Sequence, residues 1–162
     1  MNQLVGEVLG TMTLILLGDG VVAGVLLNKS KAQNSGWIVI TTGWALAVMC
    51  GVFVAAATGS PQADLNPAVT VAKMIYAGTT VNDGVLRIIG EFIGAFIGGV
   101  LVWLMYLPHW EGTPDQGAKL AIFCTGPAIR NTTANLISEI IGTFVLVFVI
   151  FAIFSKSGAT AG

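Results

Sequence analysis

"DLNPAVTVAK", Asp64–Lys73, places Asp, Asn and Pro at the start of a short apolar run. Residues 66–77 would form a helix about 18 Å long at about 1.5 Å per residue. The hydrocarbon core of a bilayer is about 30 Å thick. The run is therefore too short to cross a membrane. It is either an interfacial helix or a re-entrant half-helix whose N-terminus lies near the membrane midplane.

The composition around this run is that of an integral membrane protein. Of the 162 residues, 55% are hydrophobic and 9% are charged, whereas soluble domains carry about 25% charged residues. The formal net charge of -1 provides no basic surface for nucleic acid. With one histidine and two cysteines, we expect no metal cluster, no cofactor, no disulfide framework and no enzyme active site.

Four other segments are long and apolar enough to span a bilayer, which takes about 20 residues. They cover about residues 3–27, 36–57, 88–107 and 134–154. The half-helix, about residues 66–77, lies between the second and third spans, and a polar loop at about residues 108–133 follows the third. The pattern predicts an all-α integral membrane fold.

A repeated motif divides the chain. "LVGEVLGT" at residues 4–11 matches "LISEIIGT" at residues 136–143 in Glu, Gly and Thr, at an offset of 132 residues. Three spans separate the two copies, so the second copy crosses the membrane in the opposite direction, as in inverted-repeat transporters. We expect a first repeat over residues 1–133 and the first span of a second over 134–162. The offset places the counterpart of Asn66 beyond Gly162, which predicts that the remainder of the second repeat is missing and that the chain is a fragment.

Four carboxylates lie within predicted spans, namely Glu7, Asp19, Glu91 and Glu139. Each costs about 2.5–3.5 kcal/mol at a helix centre on insertion scales, so each is expected to face the protein interior. They form either a proton or cation relay, or structural acceptors for backbone N–H groups of the irregular segment at residues 58–65. We favour structural acceptors for the three glutamates and leave the role of Asp19 open.

The Asn-Pro-Ala tripeptide predicts a capped helix end. Asn66 is a favoured N-cap, Pro67 suits the first helical position, and Ala68 is small enough for another element to pack on the tip. The amide N–H of Asn66 then remains available as a donor. Beside a file of water it binds passing oxygens, while the positive helix end opposes cations and protons. Leu65 and Val69 would form the apolar side of such a pore.

"LNPAVTVA" and the repeated Glu-x-x-Gly-Thr motif resemble the major intrinsic proteins, the family of aquaporins and glycerol facilitators. The resemblance covers the whole chain, about the first two-thirds of a family member. It implies a homotetramer of six-helix pores, each with two Asn-Pro-Ala half-helices that meet at the midplane. It also implies that carbonyl groups of Gln62, Ala63 and Asp64 line the pore, and that the protein lies in the plasma membrane with a cytoplasmic N-terminus.

The resemblance indicates the glycerol facilitator branch. In that branch the second helix typically contributes a Trp to the outer selectivity filter, where strict water channels have a smaller ring such as Phe. Trp44 in "GWALAV" stands at the matching position, and Val48 would continue the same apolar wall. A packing role for Trp44 is the alternative. Two positions depart from the family: Asp64 replaces a frequent His, and Glu91 replaces the usual Gln.

Together these features predict a passive channel for glycerol, other small uncharged solutes and water, which excludes ions and protons. The alternatives are a water-selective aquaporin and a structural or adhesive membrane protein on the same scaffold. The expected partners are the permeating solutes, the lipid bilayer and further copies of the chain.

Overall fold

A computed structural model describes residues 2–159, with side chains as far as residue 155. Within these residues every regular element is a helix. The chain divides into two compact units, Met1–Thr125 and Gly126–Gly162. Residues 160–162, which the sequence assigns to the end of the partial second repeat, lie outside the described residues.

The first unit contains six helices among the described residues. They are α1 (Asn2–Leu26), α2 (Trp37–Ala57), α3 (Pro67–Tyr76), α4 (Val81–Met105), α5 (Leu107–Gly112) and α6 (Gln116–Phe123). Of these, α1, α2 and α4 are long and apolar enough to cross a membrane. The 10 residues of α3 extend only about 15 Å.

The second unit contains α7 (Thr132–Ala159). Its segment Thr132–Ser155 is also long and apolar enough to span a bilayer. The part of the chain that the structure describes therefore has four candidate spans, and the protein is an all-helical, multi-pass membrane protein.

The start of the third span and the loop that follows this span differ from those predicted. The third span begins at Val81, earlier than the predicted residue 88, because Thr80 caps the helix by accepting from the Asp83 N–H at 3.1 Å. Residues 81–87 are helical, but they include polar side chains and so do not extend the apolar run. The predicted loop at residues 108–133 contains α5 and α6, and Asp115 caps α6 by accepting from the Gly117 and Ala118 N–H groups.

The helix α5 is fastened to the end of α1 by polar contacts. The Asn28 N–H donates to the Thr113 hydroxyl at 2.9 Å, and its side-chain amide donates to the Gly112 carbonyl at 3.0 Å. The Nδ1 atom of His109 lies 2.9 Å from the Asn28 carbonyl oxygen. The sole histidine of the chain is thus part of a helix connection.

The central helix of the first unit is α1, which packs against α2, α4 and α6. A Cβ atom on Gly98 of α4 would lie 2.8 Å from the Met12 carbonyl oxygen, and one on Gly51 of α2 would lie 2.9 Å from the Gly10 carbonyl oxygen. Neither distance would accommodate a side chain. Small residues at these positions allow close backbone approach, as is typical of helices packed in lipid.

Large apolar side chains remain exposed on the helices of the first unit. Examples are Trp37, Ile38, Phe53, Phe92 and Phe96, each at least 65% exposed. Contiguous apolar surface of this kind marks contact with lipid or with another protein, which is consistent with a membrane-spanning bundle.

Candidate pore segment

An irregular segment joins α2 to α3. It begins at Thr58, which follows the last residue of α2, and ends at Asn66, the N-cap of α3. Ala63 and Leu65 have left-handed backbone conformations, with φ of 43° and 54°. Non-glycine residues in this region cost about 1–3 kcal/mol each and persist only where surrounding contacts determine them.

Glu7 of α1 supplies those contacts. Its carboxylate is fully buried. Its Oε1 atom accepts from the Ser60 hydroxyl at 2.6 Å and from the Asp64 N–H at 3.1 Å, and its Oε2 atom accepts from the Leu65 N–H at 2.9 Å. One carboxylate from α1 therefore binds the two consecutive backbone N–H groups of Asp64 and Leu65, next to the left-handed residues, and it fixes the path of the segment before α3 begins.

The tip of α3 is capped by Asn66, as its sequence predicts. The Asn66 backbone is extended, its Oδ1 atom accepts from the Ala68 N–H at 2.9 Å, and Pro67 occupies the first turn. The Asn66 Nδ2 group donates to no other group among the described residues. The cap thus uses the oxygen of the amide and leaves its N–H groups available to a ligand.

Asp64 lies at the centre of a buried ionic cluster. Its Oδ1 atom pairs with Lys73 of α3, and its Oδ2 atom lies 3.0 Å from Nη1 of Arg87 on α4. The Lys73 ammonium group also donates to the Gln62 carbonyl oxygen at 2.8 Å. These contacts join the irregular segment to α3 and α4, so the side chain that replaces the frequent histidine holds three elements together.

Sequence reasoning missed Lys73 and Arg87 as members of this site. A signal was present, because an Asp within a membrane protein needs a nearby cation. The chain has only seven Lys and Arg residues, and two of them, one within the half-helix and one after it, lie within 25 positions of Asp64. Sequence alone did not show that both would converge on one carboxylate.

Thr70 connects the ionic cluster to Glu91. The hydroxyl oxygen of Thr70, a fully buried residue of α3, lies 2.7 Å from Oε1 of Glu91 and 3.0 Å from Oδ2 of Asp64. The other oxygen of Glu91, Oε2, is buried and forms no hydrogen bond within residues 2–155. Glu91 thus contacts the Thr70 hydroxyl, and the backbone N–H of Asn66, the last residue of the irregular segment, also faces its carboxyl group.

The apolar candidates divide between buried and exposed positions. Leu65 packs into the space left by Gly10 and Gly51, and Val69 is 1% exposed. The Trp44 ring lies where a side chain on Gly18 would be, and it is partly buried against the apolar core. Val48 is exposed.

The other two membrane carboxylates, Asp19 and Glu139, belong to different units. Asp19 of α1 is buried, and no described residue forms a hydrogen bond or ion pair with it. Glu139 is exposed on α7, and the described residues of its own unit supply no donor to it. No group of three or more potential metal ligands occurs among residues 2–159.

Comparison with known proteins establishes the family. The model of the major intrinsic protein family matches residues 1–161, and the chain belongs to this family. It is 54% identical over 153 residues to a glycerol uptake facilitator protein of Streptococcus pneumoniae, covering 94% of this chain and 64% of that protein.

Two other relatives are similarly close. Glycerol uptake facilitator protein 3 of Lactiplantibacillus plantarum is 54% identical over 160 residues, covering 99% of this chain and 65% of that protein. A probable glycerol uptake facilitator protein of Thermotoga maritima is 51% identical over 153 residues, covering 94% and 64%. The chain thus spans a little under two-thirds of the length of these relatives. No solved structure matched it.

Proposed function

We propose that this protein is a passive channel for glycerol and other small uncharged solutes, through which water also passes and from which ions and protons are excluded. The observation that carries the proposal is the tip of α3. The Asn66 side chain uses its oxygen for the cap and leaves its N–H groups unpaired among the described residues. The glycerol uptake facilitators that the chain resembles point to the solute.

In this proposal one side of the pore is polar. The carbonyl groups of Gln62, Ala63 and Asp64 accept hydrogen bonds from solute hydroxyls, and the Asn66 amide donates to solute oxygens. The left-handed residues of the segment support this role, since strained backbone persists where function requires it. Pro67 and Ala68 form the narrow tip of the half-helix, whose positive end repels cations.

The other side of the proposed pore is apolar. Glycerol carries its hydroxyl groups along a carbon backbone, so a channel for it needs an apolar wall opposite the polar strip. Trp44 and Val48 of α2 provide this wall at the outer filter. Leu65 provides it near the midplane, and buried Val69 supports the wall from behind. The partial burial of the Trp44 ring supports the filter role, because packing against α1 fixes its orientation.

The wider setting also forms part of the proposal. The channel is a homotetramer in the plasma membrane with its N-terminus in the cytoplasm, and it catalyses no reaction. The exposed apolar side chains of the first unit support contacts with both lipid and neighbouring copies. We assign Glu7, Glu91 and Glu139 to structural support and not to a proton relay.

Reconstitution of the complete natural protein in liposomes tests this function. Stopped-flow light scattering under glycerol and water gradients should show both permeabilities above those of empty liposomes. Trp44→Phe should lower the ratio of glycerol to water permeability, while Trp37→Phe, at an exposed position, serves as the control. Water flux without glycerol flux would identify a water-selective channel and overturn the proposal.

A further inference from the structure

The proton count around Thr70 constrains the charge of Glu91. A threonine hydroxyl has one hydrogen to donate and two lone pairs to accept with. The Thr70 oxygen lies within hydrogen-bond distance of two carboxyl oxygens, on Asp64 and Glu91. Ionised carboxylates only accept hydrogen bonds. If both groups were ionised, one of these short contacts would join two acceptors without a hydrogen between them.

The surroundings decide which of the two groups holds the additional proton. Asp64 is paired with Lys73 at one oxygen and with Arg87 at the other, and two cations favour its ionised form. Glu91 has no cationic partner among the described residues, and its Oε2 atom is buried without a hydrogen bond. An ionised carboxylate in that position would be costly, whereas a neutral acid leaves only a carbonyl oxygen unpaired.

We propose that Glu91 is a protonated carboxylic acid in the folded protein. Its Oε1–H group donates to the Thr70 oxygen, and the Thr70 hydroxyl donates to Oδ2 of Asp64. The chain of donors runs in one direction, from α4 through α3 to the irregular segment. Every short contact around Thr70 then has a hydrogen, and Glu91 acts as a positioning residue for Asp64.

The charges of the cluster support the same assignment. Glu7 of α1 accepts from three donors, as an ionised carboxylate does, and Asp64 pairs with two cations. Lys73 of α3 and Arg87 of α4 contribute two positive charges. These four side chains are the charged groups that the surrounding elements place around Glu91. With Glu91 neutral, the two negative charges and the two positive charges balance. The buried support of the segment is then electrically neutral, and it presents no net negative charge to attract cations.

The same substitution at two positions tests this proposal in the complete natural protein. Glu91→Gln replaces one neutral donor by another, so the thermal unfolding midpoint should stay unchanged. Glu7→Gln replaces one accepting oxygen by an NH2 group, which then faces hydrogen-bond donors. The midpoint should therefore fall clearly, or the variant should fail to fold. Loss of folding in Glu91→Gln, or equal tolerance of both substitutions, would overturn the assignment.

Infrared spectroscopy gives a second test, because it detects the proton on the carboxyl group and not only the contribution of the residue to stability. The wild-type protein should show the carbonyl stretch of a protonated carboxylic acid, and Glu91→Gln should remove it. Thr70→Val should shift this band, because the acid then lacks its acceptor. A wild-type spectrum without the band, or a band that survives in Glu91→Gln, would contradict the proposal. These measurements need no transport assay, so they are independent of the proposed function.

Discussion

Several side chains around the irregular segment each serve two partners. Asn66 accepts at the helix tip with its oxygen and offers its N–H groups outward. Lys73 neutralises Asp64 and also binds the Gln62 carbonyl oxygen. A side chain that serves two partners fixes the distance between them, so these polar contacts act together with the apolar packing of Ala63 and Leu65 to position residues 62–66.

Asn66→Ala should affect both stability and selectivity. Loss of the cap costs about 0.5–2 kcal/mol, and loss of the amide donor weakens the barrier to ions. Asn66→Asp is the matched control, since it retains an accepting oxygen for the cap but has no N–H. We expect Asn66→Ala to lose stability and both variants to leak cations in liposome flux assays. Ion exclusion equal to wild type in both would remove Asn66 from the barrier.

Asp64→Asn should destabilise the protein strongly. The substitution leaves Lys73 and buried Arg87 without their shared anion, and removal of one partner from a buried ion pair typically costs about 3–5 kcal/mol. The loss of one negative charge in Glu111→Gln, at an exposed position of α5, should stay within about 0.5 kcal/mol of wild type. Thermal or denaturant unfolding of the two variants provides the comparison, and similar midpoints would show that the cluster contributes little to folding.

The sequence predicted some of these residue roles and not others. The cap was predictable because Asn66 and Pro67 act on their immediate neighbours in the chain. The partners of Asp64 were not, because Lys73 and Arg87 reach it only after α3 and α4 have packed. Thr70 was missed for the same reason, since a threonine in an apolar helix has no distinctive pattern.

Helical elements are positioned by close backbone contact between α1 and its neighbours. The glycine spacing of α4 allows its backbone to approach α1, and the contact between Gly10 and Gly51 does the same for α2. The sequence predicted the existence and order of the spans and of the half-helix, because long apolar runs are unambiguous. It missed α5, α6 and the first seven residues of α4. Side-chain caps begin α4 and α6, at Thr80 and Asp115.

Adjacent glycines in α4 provide a matched test of this packing. Gly98→Ala should lower stability by about 1–3 kcal/mol, because overpacking forces the helices apart. Gly99→Ala should be neutral or favourable by up to about 1 kcal/mol, since the nearest atoms to its Cβ would be 3.8 Å away. Unfolding midpoints decide the matter. A destabilised Gly99→Ala with an unaffected Gly98→Ala would show that the helix packing is wrong.

At the scale of the whole molecule, each unit is helical, and in the first unit apolar helices surround buried polar groups. Its membership of the major intrinsic protein family rests on the match over residues 1–161. The polar groups of the first unit are largely committed to one another, as the contacts of Glu7, Asp64 and Thr70 show. On the proposed function, solute movement is not coupled to proton movement.

Glycerol uptake should therefore be insensitive to a proton gradient. Liposomes that contain the complete protein should take up glycerol at the same rate with and without an imposed pH difference, because the solute is uncharged and Glu7 is fully occupied by donors. Adding a protonophore controls for the gradient itself. Uptake that follows the gradient and collapses with the protonophore would contradict a passive channel and favour a relay through the buried carboxylates.

The contacts of α3 also have a consequence for the order in which the chain is made. The half-helix lies between two sets of partners: Glu7 precedes it in the sequence, and Arg87 and Glu91 follow it. During synthesis at the membrane, Glu7 is available when residues 60–65 emerge, but α4 is not. The contacts of Arg87 and Glu91 with the segment and the half-helix can therefore form only after α4 has been synthesised.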